Sequence, residues 1–139
     1  MLTYVFEASS LLRFLDNEAG ADRVKELLNL SRNGVCHAEI SAVHWGEMVS
    51  TIARKRGLQH VAELSKLPAP YHLNIIPATA DRAHRAGLIK FTQKIPYADA
   101  FAVELASDSP DHILITADFD MKPAENDIQI EFLPTKQTP

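Results

Sequence analysis

Cysteine is nearly absent from this chain. Cys36 stands alone among 139 residues, so no disulfide can close within it, and nothing points to an oxidising compartment. Long apolar runs are missing too: none approaches the roughly 20 residues that a membrane helix needs. The apolar stretch at the start is interrupted by Glu7 and Arg13, with no basic leader before it, which counts against a signal peptide. These absences make the cytoplasm the expected location and leave the membrane out. A basic excess is also lacking, since 14 Lys and Arg against 18 Asp and Glu leave a net charge of −4. Nucleic-acid binders usually carry a basic patch. The balance therefore weighs against such a partner unless carboxylates hold divalent cations, two of which would cancel the excess. With aromatics at 7%, no aromatic-rich platform for stacking single-stranded bases is visible.

What is present suits one globular domain spanning residues 1–139. A hydrophobic content of 46% with 23% charged residues allows a core without disulfides or a structural metal. No repeat, low-complexity tract or linker divides it. Short apolar runs at Leu2–Phe6, Val35–Ala38, Leu73–Ile76, His112–Thr116 and Ile128–Phe132 read as strands, and without alternation they suit strands covered on both faces. Helices are expected between them. Ser9 and Ser10 offer caps for a short one through Leu15. Asn17 and Glu18 open another, with Ala21, Val24, Leu27 and Leu28 inward and Arg32-Asn33-Gly34 as its stop. Ser41 caps a long helix carrying Trp45, Met48, Val49, Ile52 and Ala53 on one face and ending at Gly57. Gln59–Leu67 reads as helical up to Pro68. Thr79 caps a helix with Ala80, Ala83, Gly87, Leu88 and Phe91 inward, and Pro96 precedes one with Ala98, Phe101, Ala102 and Leu105 inward. Strand and helix in alternation imply an α/β fold: three layers, α/β/α, around a mainly parallel sheet.

Sites in such folds form beyond the carboxyl ends of the strands. Glu7 directly follows the first strand, and Asp118 follows Ile113-Leu114-Ile115-Thr116 by one small residue. Asp99 falls in the first turn of a helix, where complementing the helix dipole explains it as well as chemistry does. Together these acids suggest a pocket for Mg²⁺ or Mn²⁺ through oxygen ligands. Glu47 lies nearly opposite the apolar stripe of its helix, so the wheel reads it as solvated, although Val43, Gly46 and Ser50 would let another element approach that flank.

Four segments carry a likeness. They are Val5-Phe6-Glu7-Ala8-Ser9-Ser10-Leu11-Leu12, Ile40-Ser41-Ala42-Val43-His44-Trp45-Gly46-Glu47, Ile95-Pro96-Tyr97-Ala98-Asp99-Ala100-Phe101-Ala102 and Leu114-Ile115-Thr116-Ala117-Asp118-Phe119-Asp120. In order, spacing and placement the chain resembles PIN-domain nucleases, and most of all the VapC-type toxins of toxin–antitoxin pairs. The resemblance implies a PIN-like domain, metal-dependent hydrolysis of RNA, a cytoplasmic setting, a small antitoxin partner and, by family habit, a homodimer. It implies that Glu7, Glu47, Asp99 and Asp118 are catalytic metal ligands, with Asp120 a further metal-binding acid. Two departures stand out. The family nearly always has aspartate where this chain has Glu7, and the extra methylene pushes the carboxylate outward against an ion that demands near-ideal octahedral geometry. Attenuated activity or a shift towards Mn²⁺ follows, or, as the alternative, a PIN-fold binding module without catalysis. The second departure is His44, where relatives often have asparagine. A solvated surface histidine is the expectation there, with a metal or RNA contact the less favoured reading.

Thr116 and Ser9, beside the acids, read as strand-end and helix-cap groups before phosphate ligands. Arg54-Lys55-Arg56 is the densest basic run, which a helix C-terminus favours equally. A receiver-like domain would need adjacent acids after the first strand and a late lysine, and a haloacid-dehalogenase-type phosphatase would need Asp-x-Asp-x-Thr. Neither pattern is here. Apolar residues in Leu27–Leu30 and Leu58–Leu67 serve either the core or a partner.

Overall fold

The computed structural model describes residues 1–136. Five parallel strands stand in the order β3-β2-β1-β4-β5: β1 Thr3–Phe6, β2 His37–Ser41, β3 Leu73–Ile76, β4 His112–Thr116 and β5 Gln129–Phe132. β1 is central and buried along its whole length, as a strand covered on both faces must be. Successive side chains point to opposite faces. Phe6, Ile40 and Ile115 enter one core, with α1 (Ala8–Leu15), α2 (Ala21–Arg32), α3 (Ala42–Arg56) and α4 (Leu58–Leu64). Val5 and Leu114 enter the other, with α6 (Ala80–Gln93), α7 (Tyr97–Ala106) and the 3-10 helix Phe119–Asn126. Helix, sheet and helix thus form three layers. α5 (Pro68–Tyr71) is a single turn before β3. No helix among the described residues is long and apolar enough to cross a membrane.

The chain leaves β1 towards β2 on one side and returns through β4 on the other, so the order reverses at β1. In open parallel sheets a crevice forms at such a reversal, outside the strand ends. Glu7 and Asp118 follow the two strands that border it.

Several local expectations shift. The second strand runs His37–Ser41 rather than Val35–Ala38, because the parallel ladder starts where the His37 amide donates to Leu2 O at 2.9 Å. α2 begins at Ala21 instead of Asn17, since Asn17 and Gly20 both adopt positive φ. The helix after Gly57 ends at Leu64, and Pro68 starts a new turn from its first position, where its missing amide costs nothing. On α6 the inward face is corrected: Ala86 is buried, whereas Leu88 is 56% and Phe91 81% exposed. Ala83, Ala86 and Ile89 pack into the core while Arg82 and Arg85 reach Glu104 on α7, and this leaves Leu88 and Phe91 outward.

Candidate active site

β1 passes straight into α1, leaving Glu7 in the extended conformation of an N-cap (φ −134°, ψ 178°). Glu7 is 2% exposed. Its Oε1 accepts the Ser10 amide at 2.9 Å and the Ser9 hydroxyl, and Ser10 Oγ accepts the Glu7 amide at 3.1 Å, closing a reciprocal cap. The expected serine caps therefore yield to Glu7. Ser9 Oγ also accepts the Ala117 amide at 3.0 Å, which ties the turn after β1 to the turn after β4. In that second turn the Asp118 amide donates to Thr116 Oγ1 at 2.9 Å, and Asp118 Oδ1 accepts the Asp120 amide at 2.9 Å to cap the 3-10 helix. Ser9 and Thr116 thus shape the two acid-bearing turns.

Glu47 projects from α3 with its side chain half exposed, and Asp99 from the first turn of α7. Glu7, Glu47, Asp99 and Asp118 line one hollow of about 460 Å³, together with Ser9, His44, Ser50 and Thr51. Ser50, expected only as a small residue on the Glu47 flank, is part of this lining, and Thr51 was missed, its only signal being its place one turn beyond Glu47. Asp120 is exposed and lies outside that lining. Hollows of similar size elsewhere, about 470 Å³ beside Glu125 and Asp127 and about 460 Å³ beside Glu18 and Asp22, do not gather acids from separate elements in this way. Among the described residues, no Lys or Arg lines the acidic hollow.

His44 is a correction. It is 1% exposed, not solvated. Its Nδ1 accepts the Ala8 amide at 3.0 Å and its Nε2 lies 2.7 Å from Ala98 O. A carbonyl can only accept, so Nε2 carries the proton and the ring is the neutral Nε2–H tautomer. Glu47 Oε2 lies 3.9 Å from Nδ1.

Burial pushes the Asp99 carboxyl up to about 6, and the charges of Asp118, Glu7 and Glu47 push it the same way. A positive His44 would oppose this, but the partners of its two nitrogens fix it neutral. Repulsion of this kind is what a cation would relieve. The donors are hard oxygens, which suit Mg²⁺ or Mn²⁺, and in that chemical sense the residues fit a divalent ion. The acids are gathered but not drawn tight: among the described residues, no three His, Cys, Asp or Glu side chains already stand close enough to share one.

The chain is thus a three-layer α/β/α domain whose parallel sheet carries, at its topological reversal, a hollow lined by four carboxylates. The PIN domain model matches residues 4–126, and the chain belongs to that family. Among curated proteins none matches the sequence. Among solved structures it is similar to VapBC2 from Rickettsia felis bound to a DNA fragment from its promoter, with a TM-score of 0.72 and 16% identity over 96% of this chain and 100% of that one. DNA-bound VapBC from Salmonella typhimurium gives 0.70 and 14% over 95% and 98%. A toxin–antitoxin complex from Klebsiella pneumoniae gives 0.61 and 21% over 85% and 89%. At these identities the likeness is one of fold.

Proposed function

We propose that residues 1–139 act as one endoribonuclease domain that hydrolyses RNA phosphodiester bonds with Mg²⁺ or Mn²⁺, and that it is the toxin of a type II toxin–antitoxin pair. One observation carries this reading: four carboxylates from separate elements meet in one hollow with no Lys or Arg among the described lining residues. Such an arrangement is unfavourable unless a cation completes it. Glu7, Asp99 and Asp118 would hold the ion. When bound, Mg²⁺ or Mn²⁺ supplies charge against the phosphate and acidity for a water. Glu47, half exposed, is assigned the orientation of the attacking water for in-line displacement. Asp120 is assigned to the rim, where its amide holds the Asp118 carboxylate in place. RNA as substrate implies a cytoplasmic setting.

The antitoxin partner is proposed from the toxin–antitoxin relatives. A homodimer is proposed on the outward Leu88 and Phe91 of α6, an apolar pair a second copy would cover.

One observation favours the second reading, a binding module without catalysis: Glu7 spends its Oε1 on capping α1. The test is cleavage of single-stranded RNA with Mg²⁺, Mn²⁺ or EDTA, alongside Asp99→Asn and Asp118→Asn. Metal-dependent cleavage lost in both variants supports the nuclease. Equal activity in all three proteins removes it, and absence of both cleavage and Mn²⁺ uptake leaves the binding module.

A further inference from the structure

His44 occupies a position that no surface histidine would. Its ring is sealed at 1% exposure between three elements, each of which carries an acid of the hollow. It is borne by α3, three residues before Glu47. Its Nδ1 takes the amide of Ala8, the residue after Glu7, at 3.0 Å. Its Nε2–H meets the carbonyl of Ala98, the residue before Asp99, at 2.7 Å. These partners lie 36 and 54 positions away in the chain. Neither bond goes to a side chain, so the ring fixes backbone next to each acid and leaves the carboxylates themselves uncommitted to it.

We propose that His44 is a positioning residue that sets the spacing between the Glu7, Glu47 and Asp99 carboxylates. For its chemical consequence this rests on the nuclease reading. The physical reason lies in the helix termini. The Ala8 amide is the first of α1 and has no intrahelical acceptor, and Ala98 sits in the first turn of α7. A rigid ring with one acceptor and one donor on opposite sides pins the two termini at a fixed separation. Flexible groups would hold them less sharply. Partners one step removed from a metal's ligands typically change its affinity by about 10–100-fold when lost.

Leucine at this position fills similar space but makes neither bond. Glutamine keeps a donor that reaches towards Ala98 O, and asparagine keeps an acceptor near the Nδ1 position. The experiment measures Mn²⁺ affinity by calorimetry without RNA, then kcat and KM on a single-stranded RNA oligonucleotide, for wild type, His44→Leu, His44→Gln and His44→Asn. Near-ultraviolet circular dichroism establishes that each is folded. The expected result for His44→Leu is Mn²⁺ affinity weaker by about tenfold and kcat lower by about tenfold or more, with KM within about threefold. The two amides should recover part of the loss. Wild-type affinity and kcat in a folded His44→Leu overturn the proposal. If leucine prevents folding, wild-type values in both His44→Gln and His44→Asn overturn it instead.

A second readout needs no metal. Imidazole ¹⁵N spectra should report the Nε2–H tautomer, and the Ala8 amide should exchange slowly in wild type and faster in His44→Gln. The opposite tautomer with a fast Ala8 amide overturns the linkage directly. If the tautomer and protection hold while wild type neither binds Mn²⁺ nor cuts RNA, the nuclease reading fails and the backbone lock stands.

Discussion

Two groups of acids in this molecule are handled in opposite ways. Between α6 and α7, Glu104 is buried with its side chain 3% exposed, and it is met by guanidinium: Arg82 at 2.9 Å and Arg85 at 3.0 Å. Asp108 joins through Arg82 at 2.7 Å. At the carboxyl ends of β1 and β4, Glu7, Asp99 and Asp118 face one another with no Lys or Arg among the described lining residues. The first arrangement holds two helices together. In the second, a strained charge balance is kept at the sheet's reversal, where folding alone would gain from a basic residue. A chain able to neutralise Glu104 so completely had the means to do so at the hollow. Under the proposed function, the missing counter-charge is a divalent ion.

The paired side is the place for the largest effect on stability. Glu104→Ala removes the acid and leaves two arginines without it. Breaking a buried pair costs about 3 kcal/mol, at the lower end of its range because Arg85 reaches solvent. The melting temperature should drop on the order of 10 °C. RNA cleavage per folded molecule should stay at the wild-type value. A melting curve unmoved by Glu104→Ala would abolish the contrast between the two acid groups. The unpaired side should answer in reverse. Asp99→Asn and Asp118→Asn should each lower metal-dependent cleavage by about 100-fold, equivalent to about 2.7 kcal/mol of barrier, without any fall in melting temperature.

Much of the architecture could be read in advance because the central strands carry their burial in their composition. Val5, Phe6, Leu114 and Ile115 form unbroken apolar runs, and both strands lie where such runs place them. Glu7 and Asp118 were recognisable for the same reason, since the first directly trails a legible strand and the second trails one by a single small residue. Where pairing is decided by distant partners, local pattern fails. The Leu88 and Phe91 face of α6 was misread because the inward face is made by Ala83, Ala86 and Ile89, beside Arg82 and Arg85 whose partner Glu104 lies 22 and 19 positions on. His44 was misread because its partners are backbone atoms, which leave no trace in residue type. The cap by Glu7 was missed because glutamate is not a preferred N-cap, and only a strand ending directly at the helix puts it there. The helical wheel reads Glu47 as solvated, and its side chain is half exposed. The hollow is open enough that exposure and membership of the site coincide.

Proton affinity separates the two groups more finely. Asp99 holds its proton up to about pH 6, above the ordinary carboxylate range, through burial first and then the charges of Asp118, Glu7 and Glu47. A carboxyl raised on folding binds more protons in the native state between its two pKa values. Metal-free stability therefore falls as pH rises from about 4 to above 6, and the cost is fully present at pH 8. Asp99 is partly exposed, so solvent screening leaves about 1 kcal/mol of that cost. Asp99→Asn should accordingly raise urea stability by about 1 kcal/mol at pH 8 in EDTA and by almost nothing at pH 4. A gain of equal size at both pH values would mean that charge is not its source.

The smallest expected effect concerns Glu7. Aspartate is a preferred N-cap, so Glu7→Asp should keep α1 capped by accepting the same kind of backbone amide, with the melting temperature within about 2 °C of wild type. What changes is reach. The shorter arm withdraws the carboxylate towards β1, and Mg²⁺, with its rigid octahedral demand, should notice more than Mn²⁺. The expected outcome is a rise of about threefold in the ratio of Mg²⁺-supported to Mn²⁺-supported cleavage, equivalent to about 0.7 kcal/mol. An unchanged ratio would place Glu7 with Glu104, as an acid whose work is to hold a helix in place. A changed one would place it with Asp99 and Asp118, as an acid whose helix cap and ion compete for the same oxygen.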